Sequence, residues 1–323
     1  MSNDGRPCVA CGGATRPLYR QAGDYFFSSG VRADYAVCTS PRCCTVQQDP
    51  LPEPERIGAF YGSYYTHARL AGWEQLERRT AGKLVRWLHR GAHDPARCAP
   101  VGLAALRRGN VIHDVGGILP GGPAPAVLDV GCGNGASLVI LSVMGYASCK
   151  GVETDERACE AARALGFEVR PGTAESIPYP DESFDVVYLR HVIEHVLDPD
   201  RAIAECLRVL RPGGLVSFLA PNAAAREHAR FGRYWRGLES PRHLHIFTPA
   251  SLAAVVARGG AEVLRAGATD RSKGWMWRMS RRAKRAHEAN DPHGPEPFFD
   301  VSPELDQAEE LFVIARRGGA PRS

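Results

Sequence analysis

The chain has 323 residues, 44% hydrophobic and 24% charged, which supplies a large core and excludes a disordered polyelectrolyte. A net charge of +4 does not demand a polyanionic partner, and no run approaches the roughly 20 apolar residues of a membrane span. The opening MSNDGRPC has no apolar stretch behind a basic one, so no signal peptide is expected and the expected location is cytoplasmic. In chain order, the first feature is a cluster of cysteines: of ten in all, Cys8, Cys11, Cys38, Cys43 and Cys44 come first. Thiols grouped in this way in a reducing compartment are read as metal ligands. "CVAC" sets two sulfurs on one tight turn and "CTSPRCC" supplies the next pair after the strand-like "DYAVC". A zinc ribbon follows, with Cys8, Cys11, Cys38 and Cys43 closing a structural tetrahedron. The second knuckle is longer than C-x-x-C, so Cys44 is an alternative to Cys43.

The proline-rich "DPLPEPE" cannot be a helix interior and marks a boundary near residue 55. From 56 to 122 the expectation is a helical connector, because Trp73, Leu76, Leu84, Trp87 and Leu88 recur at helical spacing before the break "GGILPGGPAPA". "AVLDVGCGNG" then reads as a buried strand running into a glycine turn, and "ASLVILSVMG" as the helix after it. Gly131, Gly133 and Gly135 let the backbone approach a ligand and expose amides at the helix start. "CKGVETDERACEAARALG" repeats the unit, with Glu153 at the strand end about 20 residues beyond the glycines, the place from which a carboxylate accepts hydrogen bonds from ribose hydroxyls. Together these two signals point to an adenosine-containing ligand.

With these motifs the chain resembles the class I S-adenosylmethionine-dependent methyltransferases. "VLDVGCGNG" is similar to their first motif, "GTAESIPYPDESFDVVYLRHVIEHVLDP" to the third strand exit and fourth strand, and "RAIAECLRVLRPGGLVSFLAPN" to the helix, turn and fifth strand. "EELFVIARR" would be the last strand. The resemblance spans about residues 126–265 and implies an α/β, Rossmann-like fold: a seven-stranded, mostly parallel sheet with helices on both faces, within a domain of residues 123–323. It also implies S-adenosyl-L-methionine as cofactor, held by Asp129, Gly131, Gly133, Glu153, Thr154, Ala174, Glu175 and, at the methionine end, Arg190. Thr173 stands where many members carry Asp.

"HVIEH", His191 to His195, fits the H-x-x-E-H spacing of some zinc peptidases, but it lies inside an ordered set of methyltransferase signatures. Glu194 and His195 are expected to brace the turn before Asp198 and Pro199. An insertion over residues 222–248 contains "ESPRHLHIFT", which resembles a segment of a bacterial methyltransferase subgroup, many of whose members carry an N-terminal cysteine ribbon. "AFYGSYYTH" has the same resemblance and implies that Tyr64 and Tyr65 close over the cofactor. Methyl transfer needs a positioned acceptor that loses a proton, and the candidate bases are His243 and His191. Residues 271–287 carry Lys, Arg and two Trp without an acidic residue, a composition suited to phosphate or base contact. The expected partner is a small-molecule or carbohydrate acceptor, methylated at oxygen, and no membrane. The alternatives are an RNA methyltransferase using the basic segment and a catalytically inactive interaction protein; the persistence of Asp129, Glu153 and the glycines argues against the latter.

Overall fold

The computed structural model describes residues 5–61, 125–143, 146–270, 272–293 and 304–319. Most of the expected helical connector, its boundary at 122, Tyr64, Tyr65 and Cys98 lie outside the described residues. In chain order the strands are β1 (Thr15–Gly23), β2 (Arg32–Cys38), β3 (Val46–Gln48), β4 (Ala126–Val130), β5 (Ser148–Glu153), β6 (Glu168–Pro171), β7 (Phe184–Arg190), β8 (Leu210–Pro221), β9 (His245–Ile246), β10 (Ala261–Thr269) and β11 (Glu310–Arg317). The helices are α1 (Pro54–Ile57), α2 (Ala136–Val143), α3 (Glu156–Arg163), α4 (Pro199–Val209), α5 (Arg226–Phe231), α6 (Pro249–Arg258) and α7 (Lys273–His287). Strands β10-β11-β8-β7-β4-β5-β6, in that order, form the expected seven-stranded sheet, and β1-β2-β3-β9 form a separate four-stranded one. Among the described residues no helix is long and apolar enough to cross a membrane.

The described residues fall into two compact units, one drawn from Met1–Tyr64, His191–Ile203 and Phe218–Ala315, the other from Tyr65–Arg190, Ala204–Ser217 and Arg316–Ser323. In the second unit β4 pairs in parallel with β5 and β7, and β5 with β6. Strands covered on both faces read as near-continuous apolar runs, and every residue of "AVLDV" in β4 is buried, with Asp129 the one charged exception. Helix α3 starts at an Asp155 cap that accepts from Arg157 N and buries Ala158, Cys159 and Ala162. Cys132, Cys159 and Cys206 are buried as small apolar side chains.

In the first unit the strands beside the cysteine cluster do not stand alone. The antiparallel sheet is extended by β9, with Val46 opposite Ile246 and Gln47 opposite His245. Leu18, Tyr19, Tyr35 and Val46 share one core with Trp235, Leu238 and Ile246 of the insertion. The Thr248 hydroxyl, which also caps α6 in a capping box with Ser251, donates to the Cys43 carbonyl at 3.0 Å. Between β7 and α4, residues 191–198 form turns and bends, as expected of the segment before Asp198 and Pro199. Its backbone is used elsewhere, since the Glu194 carbonyl accepts from Leu244 N (2.7 Å) and His245 N (3.2 Å).

Candidate functional site

In the second unit, the parallel register sets Asp129 beside Gly151 on one side and Tyr188 on the other, one residue from the strand end. The Ser137 hydroxyl of α2 donates to Asp129 Oδ2, tying helix to strand; the sequence motif did not single out Ser137. Burial pushes the Asp129 carboxyl up to about 6, against the Ser137 bond and the charge of Arg190. Glu153 knits two loops together: Oε2 accepts from Gly133 N (2.9 Å), and Oε1 accepts from Thr154 N (2.7 Å), Asp155 N (3.0 Å) and Thr154 Oγ1 (3.1 Å). A carboxylate has about four acceptor sites, so Oε2, with one donor, retains capacity for a ribose hydroxyl.

Two further observations bear on whether an adenosine cofactor fits. Gly131 and Gly133 have φ of 73° and 54°, and a Cβ placed on Gly133 would meet nothing within 4 Å, which leaves its backbone open to a ligand. Gly135 serves packing instead, since its absent Cβ would stand 2.9 Å from that of Ala162, and α2 and α3 can therefore approach. At the end of β7, Arg190 Nε is buried without a hydrogen-bond partner, a donor suited to a carboxylate such as that of methionine. Ala174 is buried and Glu175 half-buried after β6, in a turn closed by a bridge between Thr173 and Ser176. The residues present therefore fit the cofactor that the sequence implies.

In the other unit, Cys8, Cys11, Cys38 and Cys43 converge, all four sulfurs lying within 4.8 Å of one another. The Cys8–Cys43 and Cys11–Cys38 sulfurs are 3.6 and 3.5 Å apart. With Zn–S bonds of ~2.3 Å, a tetrahedron has edges of about 3.8 Å, so the cluster has the size of a zinc site. The Cys43 thiol lowers Cys8 to about 5, whereas the same bond raises Cys43 and burial raises Cys38 to about 12. Cys44, at φ 48°, turns its sulfur to the carbonyls of Ser40 (3.6 Å) and Pro41 (3.4 Å). Between the two expected alternatives, it is Cys43 that joins the cluster.

The expected histidines occupy contrasting environments in this same unit. His191, at φ 53°, is held between Glu194 Oε1 (3.2 Å from Nδ1) and Glu310 Oε1 (3.1 Å from Nε2). Packing opposes its charge, but the two carboxylates outweigh it and raise the imidazole to about 9, with 43% of the side chain still accessible. The two carboxylates thus favour the charged form of His191, which makes it a poor proton acceptor. His243 is buried, its Nδ1 donating to Gly237 O at 2.8 Å, and burial followed by the field of His195 holds it well below the usual imidazole range. His195 packs edge-on against it with ring centroids 4.6 Å apart. Below them runs a buried ionic cluster that spacing arguments missed. Arg242 forks onto Asp24 at 2.7 and 3.0 Å, reaches Glu239 at 3.2 Å and donates to Phe60 O at 2.8 Å, while Arg236 also pairs with Glu239. The nearest sequence signal was Arg242 beside His243 in "SPRHLH".

The basic segment folds as α7, burying Met276, Ser280 and Ala283 and leaving Trp275 exposed. Trp277, Arg278, Arg281, Arg282, Arg285 and Ala286 line an open groove of ≈ 410 Å³ on its far face.

Comparison with known proteins adds to this geometry. A family model described as "Methyltransferase domain" matches residues 128–218. A malonyl-[acyl-carrier protein] O-methyltransferase from Methylococcus capsulatus is 33% identical over 153 residues, which is 45% of this chain and 55% of that protein. A ubiquinone biosynthesis O-methyltransferase from Cereibacter sphaeroides is 31% identical over 169 residues, or 48% of this chain and 68% of the relative. The chain spans about half to two thirds of the length of the curated relatives it matches. A crystal structure of a candidate methyltransferase from Bacillus halodurans C-125 superposes with a TM-score of 0.50 at 20% identity, covering 65% of this chain and 98% of that one, a likeness of fold.

Proposed function

Because the chain belongs to the class I S-adenosylmethionine-dependent methyltransferases, we propose that it transfers the methyl group of S-adenosylmethionine to an oxygen of a small-molecule or sugar acceptor. The observation that carries this reading is the loop junction at Glu153, where one carboxylate with spare acceptor capacity is bonded to the amide of a glycine whose Cβ side is open. Glu153 would accept from the ribose and Thr154 would hold that carboxylate in place. Gly131 and Gly133 would admit the cofactor against the backbone, Ala174 and Glu175 would border the adenine, and the unpartnered Arg190 Nε would donate to the methionine carboxylate. Asp129, tied by Ser137, would fix the glycine turn. The cofactor supplies an electrophilic methyl on a sulfonium, and what remains for the protein is positioning and removal of the acceptor's proton. His191, charged, and His243, whose basicity burial suppresses, are both weak candidates for that proton transfer.

The oxygen-directed names of the relatives support an oxygen acceptor for this chain. The four-cysteine cluster supports a structural zinc, since four thiolates leave no coordination position for substrate. One observation favours a second reading, methylation of RNA: the arginine-lined groove of α7 suits phosphates. The experiment that separates the two supplies labelled cofactor with either an extract of small metabolites or total RNA. Label recovered in the metabolites supports the first reading; label recovered only in RNA replaces it.

A further inference from the structure

The cations of α7 divide into two kinds. Lys273 is held by Asp270 at 3.0 Å and Glu227 at 3.8 Å, and Lys284 by Glu288 at 3.4 Å. Arg278, Arg281, Arg282 and Arg285 are all exposed, and none of them has a carboxylate partner among the described residues. All four line the groove of ≈ 410 Å³ with Trp277 and Ala286, so its wall holds four positive charges and no negative one. They fall at i, i+3, i+4 and i+7, which gathers them on one side of the helix, away from the buried Met276, Ser280 and Ala283. Like charges at that spacing repel, and a bound anion relieves the repulsion. The groove also has the size of a small-molecule site.

Spacing sets the shape of the anion. Arg278 with Arg282 and Arg281 with Arg285 make two i, i+4 pairs, with Cβ atoms about 5–6 Å apart, and each planar fork matches the oxygens of a phosphate. Two such pairs side by side match two adjacent phosphates. A nucleic-acid strand fits less well on two counts. At ~1.5 Å per residue the stripe from Arg278 to Arg285 is about 10 Å long. A single-strand site takes about 4–16 nucleotides, which at ~3.4 Å per phosphate is about 14 Å or more. A base also needs a free aromatic face, but the Trp277 ring already has the guanidiniums of Arg281 (5.1 Å) and Arg230 (6.0 Å) over it, and Phe231 edge-on at 6.3 Å. That stacking steadies Arg281 for a phosphate. We propose that the groove of α7 binds the diphosphate of a small organic ester, with Arg278 and Arg282 on one phosphate and Arg281 and Arg285 on the other. If that ester is also the methyl acceptor, transfer acts on a diphosphate-bearing molecule; this consequence rests on the methyl-transfer reading, and binding of the diphosphate does not.

The test titrates the full-length protein by calorimetry with inorganic pyrophosphate, uridine diphosphate and inorganic phosphate at ~0.15 M salt, where diffuse surface attraction is screened. The two diphosphates should compete for one site per chain and bind about tenfold or more tighter than phosphate. Arg282→Gln and Arg285→Gln, one from each pair, should each weaken both diphosphates by about tenfold or more. Arg282→Lys, which keeps the charge and loses the fork, should weaken them too. Lys284→Gln, whose cation is already paired with Glu288, should leave them unchanged. These side chains lie outside the buried face of α7, so the unfolding temperature of each variant should match that of the unsubstituted protein. No binding of either diphosphate overturns the proposal, as does binding that Arg282→Gln and Arg285→Gln leave intact, or pyrophosphate binding without uridine diphosphate. An equal loss in Lys284→Gln would reduce the site to diffuse charge and overturn it as well. A short RNA that binds tighter than uridine diphosphate, and is lost in the same arginine variants, would replace it with a nucleic-acid site. Failure to bind S-adenosylhomocysteine by protein that binds the diphosphates would instead count against the methyltransferase reading alone.

Discussion

Gly133 and Gly135 belong to one motif, yet their surroundings give them separable roles. Gly133→Ala forces an alanine to φ 54°, a left-handed conformation that costs about 1–2 kcal/mol, but its methyl enters open space. Gly135→Ala incurs that cost at φ 83° and also drives its methyl against Ala162, adding about 1–3 kcal/mol of overpacking. Thermal unfolding should therefore rank Gly135→Ala as the less stable variant, while calorimetry should show the larger loss of S-adenosylhomocysteine affinity in Gly133→Ala, whose methyl occupies the approach to the backbone. Equal stability losses would contradict the assignment of Gly135 to helix packing. At this scale the spacing of Glu153 from the glycines was legible, because it reflects the fixed length of a strand–helix–strand unit. The environment of His191 was not. It depends on Glu310, which is distant in sequence and which no local pattern links to "HVIEH".

Among the elements, the ribbon allows the sharpest test. Cys43 and not Cys44 joins the four-sulfur cluster, so on the proposal of a structural zinc Cys43→Ser should lose the metal and lower the melting temperature. Cys44, whose sulfur meets the Ser40 and Pro41 carbonyls, lies outside the cluster, so Cys44→Ser should retain one zinc per cysteine cluster by metal analysis. Loss of zinc in both variants would mean that the second knuckle rearranges. Cysteine spacing pointed to the cluster of Cys8, Cys11, Cys38 and Cys43, but it could not show that β9 completes the sheet beside it. A two-residue strand in an insertion has no periodicity to read, and its place is set by the shared core around Trp235 and Val46. The parallel strands were easier to find, since strands covered on both faces read as continuous apolar runs such as "AVLDV".

For the molecule as a whole, a buried and a part-exposed histidine set opposing limits on stability. His228 is buried and neutral, and burial lowers it to about 4. An unfolded histidine titrates near ~6.5, so stability present above that pH is lost as pH falls to about 4, by about 3 kcal/mol. His191, raised to about 9 by its two carboxylates, has the opposite sign: its contribution is full below ~6.5 and is lost as pH rises towards 9. Urea midpoints measured between those limits should fall on both sides, and His191→Asn should flatten the alkaline limb; an unchanged alkaline limb would remove His191 from the account. The central claim, that the glycine turn and Glu153 hold an adenosine cofactor, is tested most directly by calorimetric titration of the zinc-loaded protein with S-adenosylhomocysteine. The account predicts one site per chain, with Glu153→Gln weakening it by roughly 1–3 kcal/mol through lost charge-assisted hydrogen bonds. Absence of binding by the folded, unsubstituted protein, or an affinity unaltered by Glu153→Gln, would contradict it.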